Sequence, residues 1–448
     1  MSKRQGTSAI VIGAGMAGLL TARVLSGHVD RVTILERDRL PEDAATRRGV
    51  PQGRHAHALL AAGQRLLDGW FPGLTDELRA KGAVPIDAGE LVWHQAGAYR
   101  APTDLGFLAL SMSRALLEST IRGRLLRERS NVSVADDTPV DGLILELGRV
   151  VGVTVDGAQH RADLVVACSG RNTRFLDQLA GAGFPAPEVS AVHIDVAYAT
   201  RVGPRRPDDL CGALAVVIDD PAQGHRLGMA LPAEGDRWMV TVGSYHGDVP
   251  PTEPAEYEDF ARSLPSPLIA DILDRAGTLT PALTHRLPSS QRRHVERLRR
   301  TPPGFVVLGD AICSLNPVHA QGMSSAALQA RVLDRTVARY GLTSSALPRV
   351  FYRRAARAVD VPWRIASRCD FADPRTTGPK PPGTDLLNRY LRKVLLACHT
   401  SVPVSRRMLR VQHLLARPAS LFTPAMVVRV LLAARRSAAV ATIAANRE

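Results

Sequence analysis

Residues able to do chemistry gather first near the start of the chain, where Ser8-Ala9-Ile10-Val11-Ile12 runs into Gly13-Ala14-Gly15-Met16-Ala17-Gly18. The apolar run reads as a buried parallel strand, and a helix is expected after it. In that setting Gly13 permits a tight turn, Gly15 lets backbone approach a pyrophosphate, and Gly18 lets the helix pack closely on the strand. The helix N-terminus offers free N–H groups and the positive end of its dipole to the phosphates. Glycine-rich turns also occur in plain structural loops, so a second signal matters. It comes from the next strand, Arg31 to Leu35, which ends on Glu36, 18 residues after Gly18. A carboxylate at that strand tip can accept hydrogen bonds from both hydroxyls of an adenosine ribose. Together these residues predict a dinucleotide site.

Other chemistries find less support. His55 and His57 have a spacing that suits a metal only on a strand or loop, and no neighbouring carboxylate or Cys completes a shell. A polar contact near cofactor or substrate, or a structural role, is expected of them. The five Cys (Cys168, Cys211, Cys313, Cys369, Cys398) form no CxxC pair and are odd in number, which argues against a disulfide framework or zinc site. Cys313 is expected to pack. The formal charge of +14 points towards nucleic acid, yet only four of the 57 basic residues are Lys and the Arg are scattered through every segment. Stacking aromatics are sparse, so no nucleic-acid partner is expected. Hydrophobic residues at 45% and charged ones at 22% suit a chain that buries a large core. The early first strand leaves no room for a signal peptide, and the apolar run nearest to a membrane span, 424–446, is broken by Arg429, Arg435 and Arg436. A cytoplasmic protein without a transmembrane segment is expected.

Further along, Gly304-Phe305-Val306-Val307-Leu308-Gly309-Asp310-Ala311 is a short apolar strand ending in Gly-Asp, followed by Asn316-Pro317-Val318-His319-Ala320-Gln321-Gly322-Met323. This pair of segments resembles the glutathione-reductase-like class of flavin hydroxylases, which includes aromatic hydroxylases and squalene epoxidases. The resemblance implies FAD as cofactor, with Asp310 on its ribityl chain and the turn opening a helix beneath the flavin ring. Backbone N–H groups of Gly322 and Met323 at that helix start would stabilise negative charge at flavin N1 and O2. The family more often has Gly where this chain has Ala320, so the backbone there must either avoid a left-handed conformation or carry strain. A third segment, Arg47-Arg48-Gly49-Val50-Pro51-Gln52-Gly53-Arg54-His55-Ala56-His57, resembles bacterial flavin epoxidases of the polyether-antibiotic type, as do Phe71-Pro72-Gly73-Leu74 and Ser113-Arg114-Ala115-Leu116-Leu117-Glu118. It implies that Arg37, Arg48 and Arg114 join Gly13, Gly15, Gly18, Glu36, Asp310, Gly322 and Met323 in holding the cofactor. The resemblance covers about residues 7 to 335. In one place it departs, because Ala167 stands where relatives usually carry Asp, which leaves the route of flavin reduction open between NADPH or NADH and a separate flavin reductase. No Trp-x-Trp-x-Ile motif is present, so halogenation is not expected.

These anchors must be positioned by an α/β fold of the glutathione-reductase-like, Rossmann type with an inserted antiparallel β-sheet substrate domain and a C-terminal helical region. The FAD-binding domain is expected from three pieces, 7–80, 105–185 and 285–340. Residues 81–104 and 186–284 supply the sheet, read from β-rich stretches between Pro, Gly and Asp turns, and 341–448 a helical cap. The 423–445 segment is an apolar-basic helix candidate, expected to pack on the core rather than touch a membrane or partner. The resemblance implies a monooxygenase that moves one atom of molecular oxygen, from a flavin C4a-hydroperoxide, onto a small apolar natural-product intermediate. Alkene epoxidation is favoured over aromatic hydroxylation, with an FAD-dependent reductase or oxidase acting on an isoprenoid as the rival. No catalytic side chain is firmly assigned; His319, in the loop expected against the flavin, is the candidate acid or base.

Overall fold

A computed structural model describes residues 6–47, 49–210, 213–219 and 225–445. Ser8–Ile12 is the central strand of a five-stranded parallel sheet with the order Phe305–Val307, Leu164–Ala167, Ser8–Ile12, Arg31–Leu35, Val132–Ala135. Ile12 lies level with Leu35 on one side and Ala167 on the other, so these three strands end together. Their run-on apolar sequences are what a sheet covered on both faces requires. Helix Met16–Leu25 covers one face, and helices Gly322–Tyr340 and Leu347–Asp370 extend the same core through Leu333, Phe351 and Val359, all with no measurable exposure. The first helix after residue 341 therefore belongs to the FAD-side core.

An eight-stranded mixed sheet forms the second layer. Its order is Cys313–Ser314, Leu283–Arg293, Val189–Pro204, Arg237–Ser244, Arg226–Ala233, Val216–Asp219, Val92–Gln95, Ala98–Tyr99. All neighbours are antiparallel except Val216–Asp219 with Val92–Gln95. Helices Pro254–Arg262 and Leu268–Ala276 pack on one face, around Trp238 and Tyr257. Both buried aromatics satisfy their polar ends, Trp238 by donating to Asp209 at 2.8 Å and Tyr257 by donating to the Val240 carbonyl at 2.9 Å.

Leu283–Arg293 crosses the boundary at 284/285 drawn from the sequence. It pairs with Val189–Pro204 along most of its length, and its far end pairs with Cys313–Ser314. The eight-stranded sheet thus includes, by backbone hydrogen bonds, the strand that enters the Asn316–Met323 loop. Three further helices, Thr384–Cys398, Val402–Gln412 and Pro424–Ala445, build a separate apolar cluster around Val394, Val404 and Val430.

Candidate active site

The turn after the first strand has room for nothing larger than hydrogen at two of its glycines. Gly13 has φ +101°, and a Cβ there would lie 2.7 Å from the Cys168 carbonyl oxygen. A Cβ on Gly18 would lie 1.7 Å from the Gly13 oxygen, so helix and turn touch through backbone. Gly15 precedes the helix in extended conformation without a side-chain cap, which leaves the first N–H groups for an anion. Glu36 is buried and held in place from both oxygens, accepting from the Ala14 N–H at 2.7 Å and the Asp38 N–H at 3.1 Å.

Arg47 completes this end. Its guanidinium lies 3.0 Å from Glu36, 3.1 Å from Asp38 and 3.8 Å from Glu118, and is the group nearest to a Cβ placed on Gly15, at 3.7 Å. Arg37, in contrast, is 71% exposed with Asp38 at 4.0 Å, so it does not join the cluster. Arg48 lies outside the described residues. Arg47, from the same motif, is the arginine that the described residues place beside the strand-tip acid. The glycine cradle, the strand-tip carboxylate and the open helix start fit the adenosine and pyrophosphate portions of FAD.

At the other end, Asp310 sits half-buried in a single turn, Gly309–Ala311, and burial raises its pKa against the pull of Arg114 and Arg171. Arg114 opens helix Arg114–Glu128, which Ser113 caps by accepting from the Leu116 N–H at 3.1 Å. Its guanidinium donates to Glu118 at 2.7 Å, and it shares one cavity wall with Asp310, Gly322 and Met323. The structure therefore brings Arg114, Asp310, Gly322 and Met323 together on one cavity. Helix Gly322–Tyr340 has no side-chain cap, so the N–H groups of Gly322 and Met323 stay available to an anion. Ala320 adopts φ +53°, ψ 24°, the left-handed conformation, and so carries strain of about 1 kcal/mol.

The loop is anchored by a residue that sequence reading missed. Asp370, last residue of its helix and 1% exposed, accepts from Asn316 Nδ2 at 2.9 Å and pairs with His319 Nε2 at 2.8 Å. Burial opposes charging of His319, but the charge and hydrogen bond of Asp370, with help from Asp219, outweigh it and raise its pKa. Nothing local marks Asp370 in the sequence. His319 is 51 positions away and the two meet only through the fold.

Between loop and sheet lies a cavity of about 250 Å³ walled by Ile86, Trp93, Leu110, Leu227, Met229 and Leu409. Gln412 and His413 close it from the C-terminal helices. His55 and His57, neither of them in an α-helix, also line it. His55 pairs through Nδ1 with Thr200 at 2.8 Å, which pairs with Thr241 at 2.7 Å, while its ring meets Tyr198 edge-on at 4.7 Å. His57 donates from Nδ1 to the His55 carbonyl at 2.6 Å. Burial lowers both pKa values to about 3, and that of His413 to about 4.

A pH prediction follows from His55 and His413, 2% and 8% exposed. Above pH 6.5 both are neutral whether folded or unfolded. Below it only the unfolded chain takes up protons, until the depressed folded values near 3 and 4 are reached. Stability should fall by about 1.4 kcal/mol per pH unit for each histidine across that window. Thermal melts from pH 7 to about 4 should show the decline, and His413→Gln should make it shallower.

Comparison with known proteins agrees with this geometry. Protein Rv3254 of Mycobacterium tuberculosis is 35% identical over 352 residues, 73% of this chain and 72% of that protein. PqsL of P. aeruginosa, solved in complex with 2-aminobenzoylacetate, superposes with a TM-score of 0.63 at 18% identity over 81% of this chain and 94% of its own. The flavin-dependent brominase Bmp2 gives 0.68 at 14% identity over 96% and 100%. These two likenesses show the fold. The FAD binding domain family matches residues 6–340. Because that stretch runs from the first strand to the end of the helix beneath the ring-side loop, the chain belongs to the FAD binding domain family.

Proposed function

We propose that the chain is an FAD-dependent monooxygenase that transfers one atom of molecular oxygen to a small apolar molecule held in the cavity, with alkene epoxidation as its reaction. The observation that carries this reading is an apolar chamber opening directly onto Asp310, Gly322 and Met323. Bound FAD, once reduced, supplies the activation of oxygen. The protein's share is to exclude water and hold the substrate against the ring. Gly13, Gly15, Gly18, Glu36 and Arg47 hold the dinucleotide end; Arg114 and Asp310 hold the ribityl end; the Gly322 and Met323 N–H groups stabilise negative charge at the ring's pyrimidine edge.

The lining favours an alkene over a phenol. Hydroxylation of a phenol is helped by a base that takes the hydroxyl proton and so activates the ring, and His55 and His57, with pKa values near 3, are poor acceptors. His319, oriented by Asp370 through Nε2 and with its pKa raised by that carboxylate, is the remaining candidate acid or base on the wall. Electrons come from NADPH, NADH or a separate flavin reductase. Nicotinamide oxidation measured with and without added reductase separates these routes.

The test is turnover of an alkene-bearing lipid under 18O-labelled oxygen. The product should carry one labelled atom; a saturated or dehydrogenated product without label would replace this reading with a reductase or oxidase. Met229→Trp, which fills the chamber from the sheet, should retain FAD yet cut oxygenated product by about tenfold or more, with peroxide released instead.

A further inference from the structure

The last three helices carry an unusual surface. Between positions 384 and 445 stand ten basic residues (Arg389, Arg392, Lys393, Arg406, Arg407, Arg410, Arg417, Arg429, Arg435, Arg436) against one acid, Asp385, a net charge of +9. Asp385 is already paired with Lys380 at 2.5 Å. Among the described residues none of the ten basic groups is in a salt bridge, whereas Arg292, for example, pairs with Asp360.

Helix Pro424–Ala445 is apolar on two opposite sides. Met426, Val430 and Ala434 pack into the cluster with helix Thr384–Cys398. At 100° per residue, Val428, Leu431, Leu432 and Arg435 lie about half a turn away from that stripe. Val428 is 56% and Leu432 54% exposed, and Phe422, just before the helix, is 43% exposed. Arg429 and Arg436 run along one edge of the bare stripe, and Arg435 lies within it. A solvated helix face has no need of Val, Leu and Leu at helical spacing, and a core helix would bury them.

We infer that this face docks the protein onto an anionic lipid bilayer, the apolar stripe entering the acyl boundary and the arginines lying among acidic headgroups. Charge selects the occupant. A second copy of this chain would bring +9 against +9, whereas a surface of anionic lipid complements it. The arginine stems can lie along the apolar boundary while their heads stay in the polar layer. Among the described residues no helix is long and apolar enough to cross a membrane, so the docking is interfacial. The same helical unit supplies Met408, Leu409, Gln412 and His413 to the cavity wall, placing the chamber next to the bilayer. Delivery of an apolar substrate from the bilayer rests on the proposed function, but docking does not.

The experiment is flotation of the full-length, FAD-loaded protein with phosphatidylcholine vesicles, with and without phosphatidylglycerol, at low and high salt. Binding is expected only to the vesicles with phosphatidylglycerol, weakened by salt. Arg435→Gln/Arg436→Gln should weaken it about 30-fold, roughly fivefold per charge. Leu431→Ser/Leu432→Ser should weaken it at both salt concentrations, with FAD content and melting temperature unchanged. The salt comparison on the unaltered protein stands even without the variants. No flotation with phosphatidylglycerol vesicles would overturn the inference. So would a self-associating species in sedimentation that Leu431→Ser/Leu432→Ser abolishes, or capture by nucleic acid or an acidic polypeptide in place of lipid.

Discussion

Gly18→Ala should yield a protein that purifies almost free of flavin. The added methyl carbon would sit 1.7 Å from the Gly13 oxygen and 2.9 Å from its carbonyl carbon. Both are backbone atoms, so no side chain can swing away to make room. The first helix must lift off the central strand by more than an ångström, and its free N–H groups then no longer face the pyrophosphate. A forced shift in a packed core costs about 3 kcal/mol, and loss of the phosphate contacts adds to the effect on affinity. Added FAD should bind at least about 100-fold more weakly, read from the visible absorbance retained after gel filtration and from a titration of flavin fluorescence. Gly69→Ala is the control, because a Cβ there meets nothing within 4 Å. It lies in helix Ala61–Trp70 and should keep full flavin content, with stability unchanged or raised by up to about 1 kcal/mol. Equal flavin content in the two variants would remove the close helix approach from the account of cofactor binding.

The contrast between these glycines shows which parts of the site are legible in sequence. Gly13, Gly15, Gly18 and Glu36 are tied by short-range geometry: a strand, a turn and a helix fix their relations within 24 residues, so spacing alone carries the signal. The Gly322 helix start is legible for the same reason. Arg47 was not singled out, because in an irregular segment spacing carries no signal and only the path of the backbone brings its side chain to Glu36. Leu283–Arg293 was hard to place because Ser289, Ser290, Gln291 and Arg292 give it no apolar alternation. It is held by main-chain pairing to Val189–Pro204, and several of these polar groups are buried with partners from other elements. The cavity walls are legible least of all. His413 and Leu409 come from a helix more than 350 residues after His55, and the sequence shows only that each segment is amphipathic.

The Asp370 pairing is the extreme case of a long-range feature, and its removal should have the second large effect. In the native chain the carboxylate is the acceptor for two buried donors, Asn316 Nδ2 and His319 Nε2. Asp370→Ala takes this acceptor from a buried amide and a mostly buried imidazole, which should cost about 3 kcal/mol and release the left-handed turn at Ala320. Asp370→Asn separates charge from packing, since it keeps the volume and one acceptor oxygen but removes the ionic partner. Burial of His319 then prevails, and its pKa should drop from above the usual histidine value to below it, with Asp219 the remaining acid that favours charging. The sign for stability can be worked out. With the folded pKa raised, the His319 contribution is fully present below pH 6.5, the unfolded value, and disappears as pH rises through the raised folded value. Melting temperature should therefore fall just above pH 6.5 in the native protein, and that part of the fall should be missing in Asp370→Asn, while buried thiols such as Cys168 and Cys369 add a later alkaline loss in both. Histidine NMR titration assigns the effect by following the His319 ring directly: an unchanged ring pKa in Asp370→Asn would mean that the pair is held for packing alone. His55, His57 and His413 limit stability below pH 6.5 and His319 just above it, so among the histidines the balance favours a pH close to 6.5, with the first alkaline loss set by one carboxylate at the end of one helix.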